Sequence, residues 1–374
     1  MSAAAATPPA VPDGTPLRYG IIGTGMMGLE HLRNLAEVPG AVITAVADTH
    51  EPSRQAALGE AARVGLEAPA VFEDHRDLLA SGLCDAVVVV TPNMTHASVL
   101  DDVLDAGLHV LVEKPLCTTV EDCRRIVERA ADYPGVVWVG LEYRYMPPVA
   151  ALVERVAAGA VGTVKMIAIR EHRFPFLVKV GDWNRFNRNT GGTLVEKCCH
   201  FVDLMTLIAG SEPVRVLASG GQDVNHLEER YGGETPDILD NALVIVEYAS
   251  GVRASLDLCM FAEGSANQEE LSVVGDEGKV EAFLPSGIVR EGLRRTGPWG
   301  VTESVASDQR VRHEGFHHGA SYLEHLGFAE AVRSGGRAAV GLGEGLSSVA
   351  VGVAAQRSIS EGRAVTLAEV LGGA

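Results

Sequence analysis

The sequence predicts an α/β protein in which a doubly wound, largely parallel sheet is followed by an α+β half built on a mostly antiparallel sheet. In the first half, short apolar runs alternate with amphipathic helical segments, which is the pattern of a parallel sheet covered by helices on both faces. In the second half, several strand-like runs follow one another with few helices between them. The chain has 374 residues, 47% of them hydrophobic, which is enough for two domains with separate cores.

The first predicted strand runs into a glycine-rich turn. An apolar run ends at Ile22 and is followed by Gly23-Thr-Gly25-Met-Met-Gly28, after which apolar residues take up helical spacing. The next strand-like run ends in Asp48, 20 residues beyond the last glycine. A strand, this GxGxxG spacing, a helix and an acid at that distance together predict a dinucleotide-binding turn.

Each of these positions has a physical task in such a turn. Gly23 permits the tight turn, Gly25 lets the backbone approach a pyrophosphate at the positive end of the helix, and Gly28 allows the helix to pack closely on the strand. Asp48 is expected to bind ribose hydroxyls and to disfavour a 2′-phosphate, so NAD is favoured over NADP, although two basic residues stand nearby. The predicted cofactor contacts of this turn are Gly23, Thr24, Gly25, Met26, Met27, Gly28 and Asp48.

Helices and strands continue to alternate after Asp48. The predicted helices are residues 53–65, 75–82, 95–107 and 119–131, and the predicted strands are residues 70–72, 84–93, 109–115 and 136–144. The loops at the carboxyl ends of the strands, TPNMTH (91–96) and EKP (113–115), are expected to line the cofactor crevice. Their cofactor-binding candidates are Thr91, Pro92, Asn93, His96, Glu113 and Lys114. His96 has an alternative interpretation as a helix-capping or surface residue.

The second half is predicted to form a mostly antiparallel sheet with helices packed on it. Its strand-like runs are residues 163–174, 214–222, 241–250, 252–261, 270–275 and 279–285. Residues 201–210 and the tail from Tyr322 onward are predicted to be helices packed on this sheet.

Five motifs together carry a family resemblance. GIIGTGMMG, VTPNMTH, VEKP, EYRYMPP and GGTLVEKCCHFVD occur in this order, and the chain resembles the glucose–fructose oxidoreductase/inositol dehydrogenase/rhizopine-catabolism (Gfo/Idh/MocA) family over nearly its whole length. The resemblance implies an N-terminal Rossmann NAD-binding domain, residues 17–140, and a C-terminal α+β domain for substrate binding and oligomerisation with a large open sheet, residues 141–374. Residues 1–16 are predicted to be a disordered leader. The resemblance also implies a homodimer or homotetramer and a small-molecule carbohydrate or cyclic polyol as substrate.

The polar run VEKCCHFVD, residues 195–203, has four interpretations: a metal site, a redox pair, a catalytic helix face, or a helix that simply carries polar residues. On one continuous helix, Glu196, His200 and Asp203 fall within about 60° of one another. The two consecutive cysteines do not share a face and make poor joint ligands for one ion, so no metal is predicted. The resemblance implies instead that Lys114, His200 and Glu196 meet beside the nicotinamide.

The resemblance further implies a hydride transfer at this site. His200 is expected to remove the hydroxyl proton, Glu196 to orient the imidazole, and Lys114 to stabilise the developing alkoxide. The family commonly has aspartate at position 196 and a small or apolar residue at position 197; Lys197 therefore either reaches the substrate or pairs with an acid. The substrate candidates are Arg144, Trp183, Lys197 and Asp203. The basic segment 165–188 either binds a carboxylate or phosphate of the substrate or pairs with acids of the protein.

Composition limits the function classes. The formal net charge of −18 argues against nucleic acid and an anionic membrane surface as partners. No apolar run is long enough to span a bilayer, and the N-terminus has no signal-peptide pattern, so a cytoplasmic location is expected. The six cysteines lack CxxC spacing, as is typical of free thiols. Two alternatives to a dehydrogenase stay open: an enzyme that retains NAD and oxidises a glycoside transiently to cleave it, and a non-catalytic nucleotide-sensing regulator.

Overall fold

The computed structural model describes residue 8, residues 11 and 12, and residues 14–372. Most of the predicted leader, residues 1–16, therefore lies outside the described residues. The chain forms two compact units: the first holds the described residues up to Glu142 with Lys179–Gly181 and Arg310–Leu346, and the second holds Tyr143–Val178, Asp182–Gln309 and the described residues from Ser347 onward. The domain limits 17–140 and 141–374 stay a prediction.

The elements are numbered along the chain. The strands are β1 (Leu17–Ile22), β2 (Ala41–Ala47), β3 (Ala70–Phe72), β4 (Ala86–Val89), β5 (His109–Glu113), β6 (Val137–Gly140), β7 (Val164–His172), β8 (Pro213–Gly221), β9 (Asn241–Tyr248), β10 (Arg253–Cys259), β11 (Glu269–Gly275), β12 (Gly278–Leu284), β13 (Ile288–Leu293), β14 (Thr302–Val305) and β15 (Val365–Thr366). The α-helices are α1 (Met26–Glu37), α2 (Glu51–Arg63), α3 (His75–Ala80), α4 (His96–Ala106), α5 (Val120–Arg129), α6 (Pro147–Ala157), α7 (Asn187–Thr190), α8 (Thr193–Glu196), α9 (Cys199–Ala209), α10 (Ala320–Ser334), α11 (Leu342–Glu361) and α12 (Leu367–Leu371).

The first unit is built on a six-stranded parallel sheet with the order β3-β2-β1-β4-β5-β6. β4 and β5 are buried along their whole length, as parallel strands covered on both faces are. The strand order reverses at β1, which pairs with β2 on one side and β4 on the other. The glycine-rich turn and the loops 91–96 and 113–115 follow β1, β4 and β5, so they lie at one edge of the sheet. The predicted doubly wound parallel sheet is confirmed.

The second unit is built on a nine-stranded sheet with the order β14-β13-β12-β11-β7-β10-β9-β8-β15. β7 and β10 are parallel neighbours, and the other neighbouring strands run antiparallel. α9 packs against β7. The predicted large, mostly antiparallel sheet is therefore confirmed, with β13, β14 and β15 in addition to the predicted strands.

Two predictions about helices are wrong. The helix expected to be continuous through residues 195–208 is divided, because α8 ends at Glu196 and α9 begins at Cys199. The backbone at Cys198 has ψ −5°, far from the value of about −42° that an α-helix requires. α10, predicted to pack on the second sheet, packs against α1 in the first unit, where Phe328 lies against Tyr19 and Trp138.

Among the described residues, no helix has both the length and the apolar character needed to cross a membrane.

Candidate functional site

The glycine-rich turn has the backbone geometry of an anion cradle. Gly23 adopts φ +95°, and a Cβ there would lie 2.6 Å from the carbonyl oxygen of Val90, so both conformation and space require glycine. A Cβ on Gly28 would lie 2.1 Å from the carbonyl oxygen of Gly23, so the start of α1 packs directly on the turn. A Cβ on Gly25 would have no atom within 4 Å. The space in front of the α1 amides is thus open, as a bound pyrophosphate requires.

Asp48 follows β2 and reaches the same turn. Its Oδ2 accepts hydrogen bonds from the amide of Thr24 at 2.7 Å and from the Thr24 hydroxyl at 3.2 Å, and its Oδ1 accepts one from the amide of His50 at 2.8 Å. Arg54 donates to the Asp48 carbonyl oxygen at 2.6 Å. Asp48 therefore fixes the turn and places a carboxylate beside it, which suits the ribose hydroxyls of NAD.

The loops after β4 and β5 are joined by His96. Its ring is fully buried, with Nδ1 2.8 Å from the carbonyl oxygen of Pro115 and Nε2 3.0 Å from that of Thr91. Burial lowers the pKa of His96, and the two carbonyl contacts partly oppose this effect. The peptide bond between Lys114 and Pro115 is cis. Direct contact of His96 with the cofactor stays a prediction; in this structure His96 holds the two loops together.

Asn93 offers a polar group at the same sheet edge. Its side chain is 6% exposed, and its Nδ2 has no hydrogen-bond partner among the described residues. A buried amide without a partner costs free energy, which a polar group of a bound ligand would recover. Together with the open glycine turn, this atom indicates that the first unit fits a dinucleotide.

Two histidines that the sequence did not single out form a hydrogen-bonded chain that ends on the carboxylate of Glu113. His31 of α1 lies 2.9 Å from Glu113 Oε1 through its Nε2, and its Nδ1 lies 2.8 Å from Nε2 of His325 on α10. Oε2 of Glu113 accepts the amide of Lys114 at 3.1 Å. Burial raises the pKa of Glu113, but the hydrogen bond and charge of His31 outweigh it, so the pKa is lowered. The helical spacing of apolar residues in the sequence does not indicate that His325 of α10 lies in this unit.

The second unit holds the predicted proton-transfer residues. Glu196 at the end of α8 is 6% exposed and His200 in the first turn of α9 is 2% exposed. The His200 imidazole is stacked on the ring of Tyr143, with centroids 4.0 Å apart and planes within 5°. A buried histidine is a side chain able to accept a proton near neutral pH, and a buried carboxylate can stabilise a positive charge.

Lys197, which lies between α8 and α9, pairs with an acid. Its Nζ is 2.9 Å from Oε1 of Glu171 on β7 and donates to the hydroxyl of Tyr143 at 2.6 Å. Burial lowers the pKa of Lys197, and the charge of Glu171 partly restores it. Of the two interpretations left open by the sequence, the ion pair is the one present in this structure.

Arg144 and Asp203 bind each other. Nε of Arg144 donates to Asp203 Oδ2 at 2.6 Å and Nη2 donates to Oδ1 at 2.5 Å, with the carboxylate nearly fully buried. This bidentate geometry is the strongest that a guanidinium makes with a carboxylate. Trp183 is partly buried, and its backbone carbonyl accepts the side-chain amide of Asn189 at 2.9 Å. The substrate roles of these residues stay predictions.

The basic segment 165–188 is largely neutralised within the second unit. The cations and their carboxylate partners are Lys165 with Asp276, Arg170 with Glu270, Arg173 with Glu171, Arg185 with Glu229 and Arg188 with Glu234. The interpretation that this segment pairs with acids of the protein is the one these contacts favour.

The six cysteines are free thiols, five of them buried. No cluster of three or more His, Cys, Asp or Glu side chains within the described part of the chain is arranged to hold a metal ion.

The chain is similar to known proteins over most of its length. Residues 17–141 match the family model GFO_IDH_MocA, described as an oxidoreductase family NAD-binding Rossmann fold, and residues 153–367 match the C-terminal α/β domain of the same family. Myo-inositol 2-dehydrogenase of Thermotoga maritima is 28% identical over 95% of this chain and 100% of its own length. The scyllo-inositol 2-dehydrogenase (NAD(+)) of Bacillus subtilis is 27% identical over 94% of this chain and 96% of its own. A crystal structure described as a probable dehydrogenase from Thermotoga maritima has a TM-score of 0.76 at 26% identity, covering 95% of this chain and 100% of that one.

Proposed function

The chain belongs to the Gfo/Idh/MocA oxidoreductase family and is an NAD-dependent dehydrogenase of CH–OH groups, and we propose that its substrate is a cyclic polyol of the inositol type. In this proposal a hydride passes between a secondary carbinol carbon of the substrate and C4 of the nicotinamide. Similarity over nearly the whole chain to the inositol dehydrogenases of Thermotoga maritima and Bacillus subtilis supports this substrate class over an open-chain sugar.

The observation that carries the proposal is the burial of two ionisable side chains, Glu196 at the end of α8 and His200 in the first turn of α9. Ionisable side chains are rarely this buried unless they are paired or functional. A dehydrogenase of secondary alcohols needs one group that accepts the hydroxyl proton, and a histidine has an ordinary pKa close to neutral pH.

Three side chains then have separate tasks. NAD, when bound, supplies the hydride acceptor. His200 takes the hydroxyl proton as the carbinol is oxidised, and Glu196 holds the imidazole and stabilises its charged form. Lys114 donates to the reacting oxygen and stabilises its developing negative charge. Reduction of the ketone uses the same groups in the opposite sense, with His200 as the acid.

The residues of the first unit hold the cofactor in this proposal. The α1 amides and Gly25 receive the pyrophosphate, and Asp48 receives the adenosine ribose. The open space above Gly25 and the unpartnered Nδ2 of Asn93 support this assignment.

The exposed face of the second sheet supports a homodimer or homotetramer. It carries Met166, Leu243 and Ile245, which are 58%, 62% and 45% exposed. Apolar side chains grouped on one sheet face are typical of a subunit interface. Light scattering on the purified chain tests this point, since a monomer at micromolar concentration would contradict it.

The experiment is to follow NADH absorbance with NAD, and separately with NADP, against inositols, aldoses, uronates and glycosides. We expect NADH to form with NAD and at least one inositol. His200→Gln and Lys114→Met are each expected to lower kcat by at least about a hundredfold. Lys279→Met, which removes an exposed lysine paired with Glu281 on the second sheet, is the matched control and keeps full activity.

Two outcomes contradict the proposal. Consumption of glycosides without accumulation of NADH favours the alternative in which NAD is retained and the glycoside is cleaved. Full activity of the Lys114 and His200 variants removes the catalytic assignment of these residues, whereas NAD binding without turnover of any of these compounds favours a nucleotide-sensing regulator.

A further inference from the structure

Lys197 is a buried cation without an evident need in the fold. Its side chain is 6% exposed, and burying an ammonium group costs several kcal/mol unless a carboxylate is close, a cost that a methionine would avoid. The pair of Lys197 with Glu171 is therefore a poor source of stability, and its value must lie elsewhere.

The environment of Lys197 is a buried charged cluster at the ends of two neighbouring central strands of the second sheet. Glu171 on β7 and Glu269 on β11 are cross-strand neighbours, both nearly fully buried. Burial and the charge of Glu171 raise the pKa of Glu269. Arg173 lies 3.4 Å from Glu171 and supplies a second positive charge. Lys197 is thus held in one place by the sheet rather than by its own helix.

The hydroxyl of Tyr143 connects this cluster to His200. Its oxygen accepts a hydrogen bond from the Lys197 ammonium at 2.6 Å. The ring that bears this hydroxyl is stacked on the His200 imidazole. Phe201 closes the side of the Tyr143 ring in a T-shaped contact with centroids 5.6 Å apart. The hydroxyl lies on the long axis of the Tyr143 ring, so fixing it fixes one end of that axis, while Phe201 limits rotation of the ring about the axis.

We propose that Lys197 is a positioning residue that acts through the Tyr143 hydroxyl to hold the His200 imidazole in its reactive orientation. Lys197 touches neither substrate nor cofactor in this proposal. The sheet fixes Glu171, Glu171 fixes Lys197, Lys197 fixes Tyr143, and the stacked ring fixes His200. The inference rests on the proposed function only in assigning proton transfer to His200.

Lys197 and His200 lie on either side of the break between two helices. Lys197 caps α8 and pairs with Glu171 on β7, while His200 lies in the first turn of α9.

The first measurement is the Cε1–H NMR resonance of His200 in protein labelled at histidine, assigned by its loss in His200→Gln. A proton above a ring face is shifted upfield by the ring current. We expect Tyr143→Phe, which keeps the ring and removes the hydroxyl, to reduce or broaden this shift. The matched control is Tyr248→Phe, because the Tyr248 hydroxyl contacts Thr206 of the same helix, 3.3 Å away, and does not contact Lys197 or His200.

The second measurement is steady-state kinetics on the substrate that the wild type accepts. Tyr143→Phe is expected to lower kcat about tenfold with KM for NAD unchanged. Lys197→Met leaves Glu171 charged and buried, so it is combined with Glu171→Gln to preserve the fold. The kcat of this double variant is expected to equal that of Tyr143→Phe. The kcat of the triple variant is expected to be no lower than either, because all three changes break the same chain of contacts from Glu171 to His200. Lys197→Arg retains a donor and is expected to recover part of kcat.

The outcomes separate the two proposals. If His200→Gln is inactive but Tyr143→Phe and the Lys197/Glu171 double variant keep the wild-type resonance and kcat, the positioning role is wrong and the proposed function stands. If the resonance changes as expected while His200→Gln stays fully active, the positioning role stands and the catalytic assignment of His200 is wrong.

Discussion

The imidazole of His31 lies 2.9 Å from the carboxylate of Glu113, and both side chains are buried in the first unit. Glu113 immediately precedes Lys114 and accepts its amide through the second carboxylate oxygen. The position of the lysine backbone at the sheet edge thus depends on a histidine 82 positions earlier in the chain.

This pair makes an acid-sensitive contribution to stability. Because His31 lowers the pKa of Glu113 below its ordinary value of 4.5, the contribution is complete above that value and is lost as the pH falls toward the lowered one. His31→Gln is expected to reduce the free energy of unfolding by about 2 kcal/mol at neutral pH. The difference from wild type should shrink between about pH 4.5 and about pH 2.

Urea unfolding at several pH values measures this difference. The matched control is His75→Gln, which removes a half-buried histidine 2.8 Å from Asp102 and is expected to cost less than about 1 kcal/mol. An equal loss of unfolding free energy in both variants, or a His31→Gln effect that does not depend on pH, would show that the buried pair stabilises the fold no more than the partly exposed pair does.

His325 is expected to oppose stability in mild acid. Burial, followed by the charge of His31, keeps the pKa of His325 well below its ordinary value of 6.5. Below that value the unfolded chain binds a proton that the folded chain does not, so stability falls as the pH decreases. His325→Gln should flatten the dependence of unfolding free energy on pH by up to about 1.4 kcal/mol per pH unit between about pH 6.5 and about pH 5. Identical slopes for wild type and variant in thermal or urea unfolding would refute this.

Substitution of Gly28 is expected to lower the stability of the fold, whereas substitution of Gly25 is expected to weaken NAD binding. Gly28→Ala places a Cβ 2.1 Å from the Gly23 carbonyl oxygen and is expected to destabilise the free protein by about 1–3 kcal/mol. Gly25→Ala meets no neighbouring atom and has a backbone conformation that alanine adopts, so the free protein should keep its stability. Its methyl group would occupy the space left for the pyrophosphate, and NAD affinity should fall at least about tenfold.

Thermal unfolding without cofactor and NAD titration by calorimetry test the two variants. Normal NAD binding by Gly25→Ala would mean that the pyrophosphate does not bind at this turn.

Asp48 is expected to decide the choice between NAD and NADP. Asp48→Asn removes the negative charge and keeps an oxygen that can accept the Thr24 amide. The ratio of kcat/KM for NADP to kcat/KM for NAD should rise about tenfold, chiefly because kcat/KM for NAD falls. The control is Asp74→Asn, since Asp74 caps α3 through the amide of Arg76 and has no contact with the turn. A ratio that stays at the wild-type value would argue that Asp48 serves only to fix Thr24.

The parts of the fold that local patterns determine could be predicted from the sequence. β3 is a strand at the predicted residues 70–72, and the strand ends that carry the glycine turn and the EKP loop were located because burial on both faces produces continuous apolar runs. β13 and β14 were missed, since most of their residues are exposed or partly exposed and give little apolar signal.

Features that depend on tertiary contacts were not predictable. Helical spacing cannot register the break at Cys198, because one residue with a changed ψ leaves the apolar period on either side intact. The acid that pairs with Lys197 is Glu171, which lies on β7, 26 positions earlier in the chain. The packing of α10 in the first unit, and with it the contact of His325 with His31, likewise involves residues far apart in sequence.

The most direct test of the proposed function follows the hydrogen itself. Inositols carrying deuterium on the ring carbons are incubated with NAD and the protein, and the NADH formed is analysed by mass spectrometry. We expect NADH that is one mass unit heavier, because the carbinol hydrogen moves to the nicotinamide, and its formation to be at least about a hundredfold slower with His200→Gln. NADH without deuterium, or no NADH from any inositol by a protein that binds NAD, would contradict it.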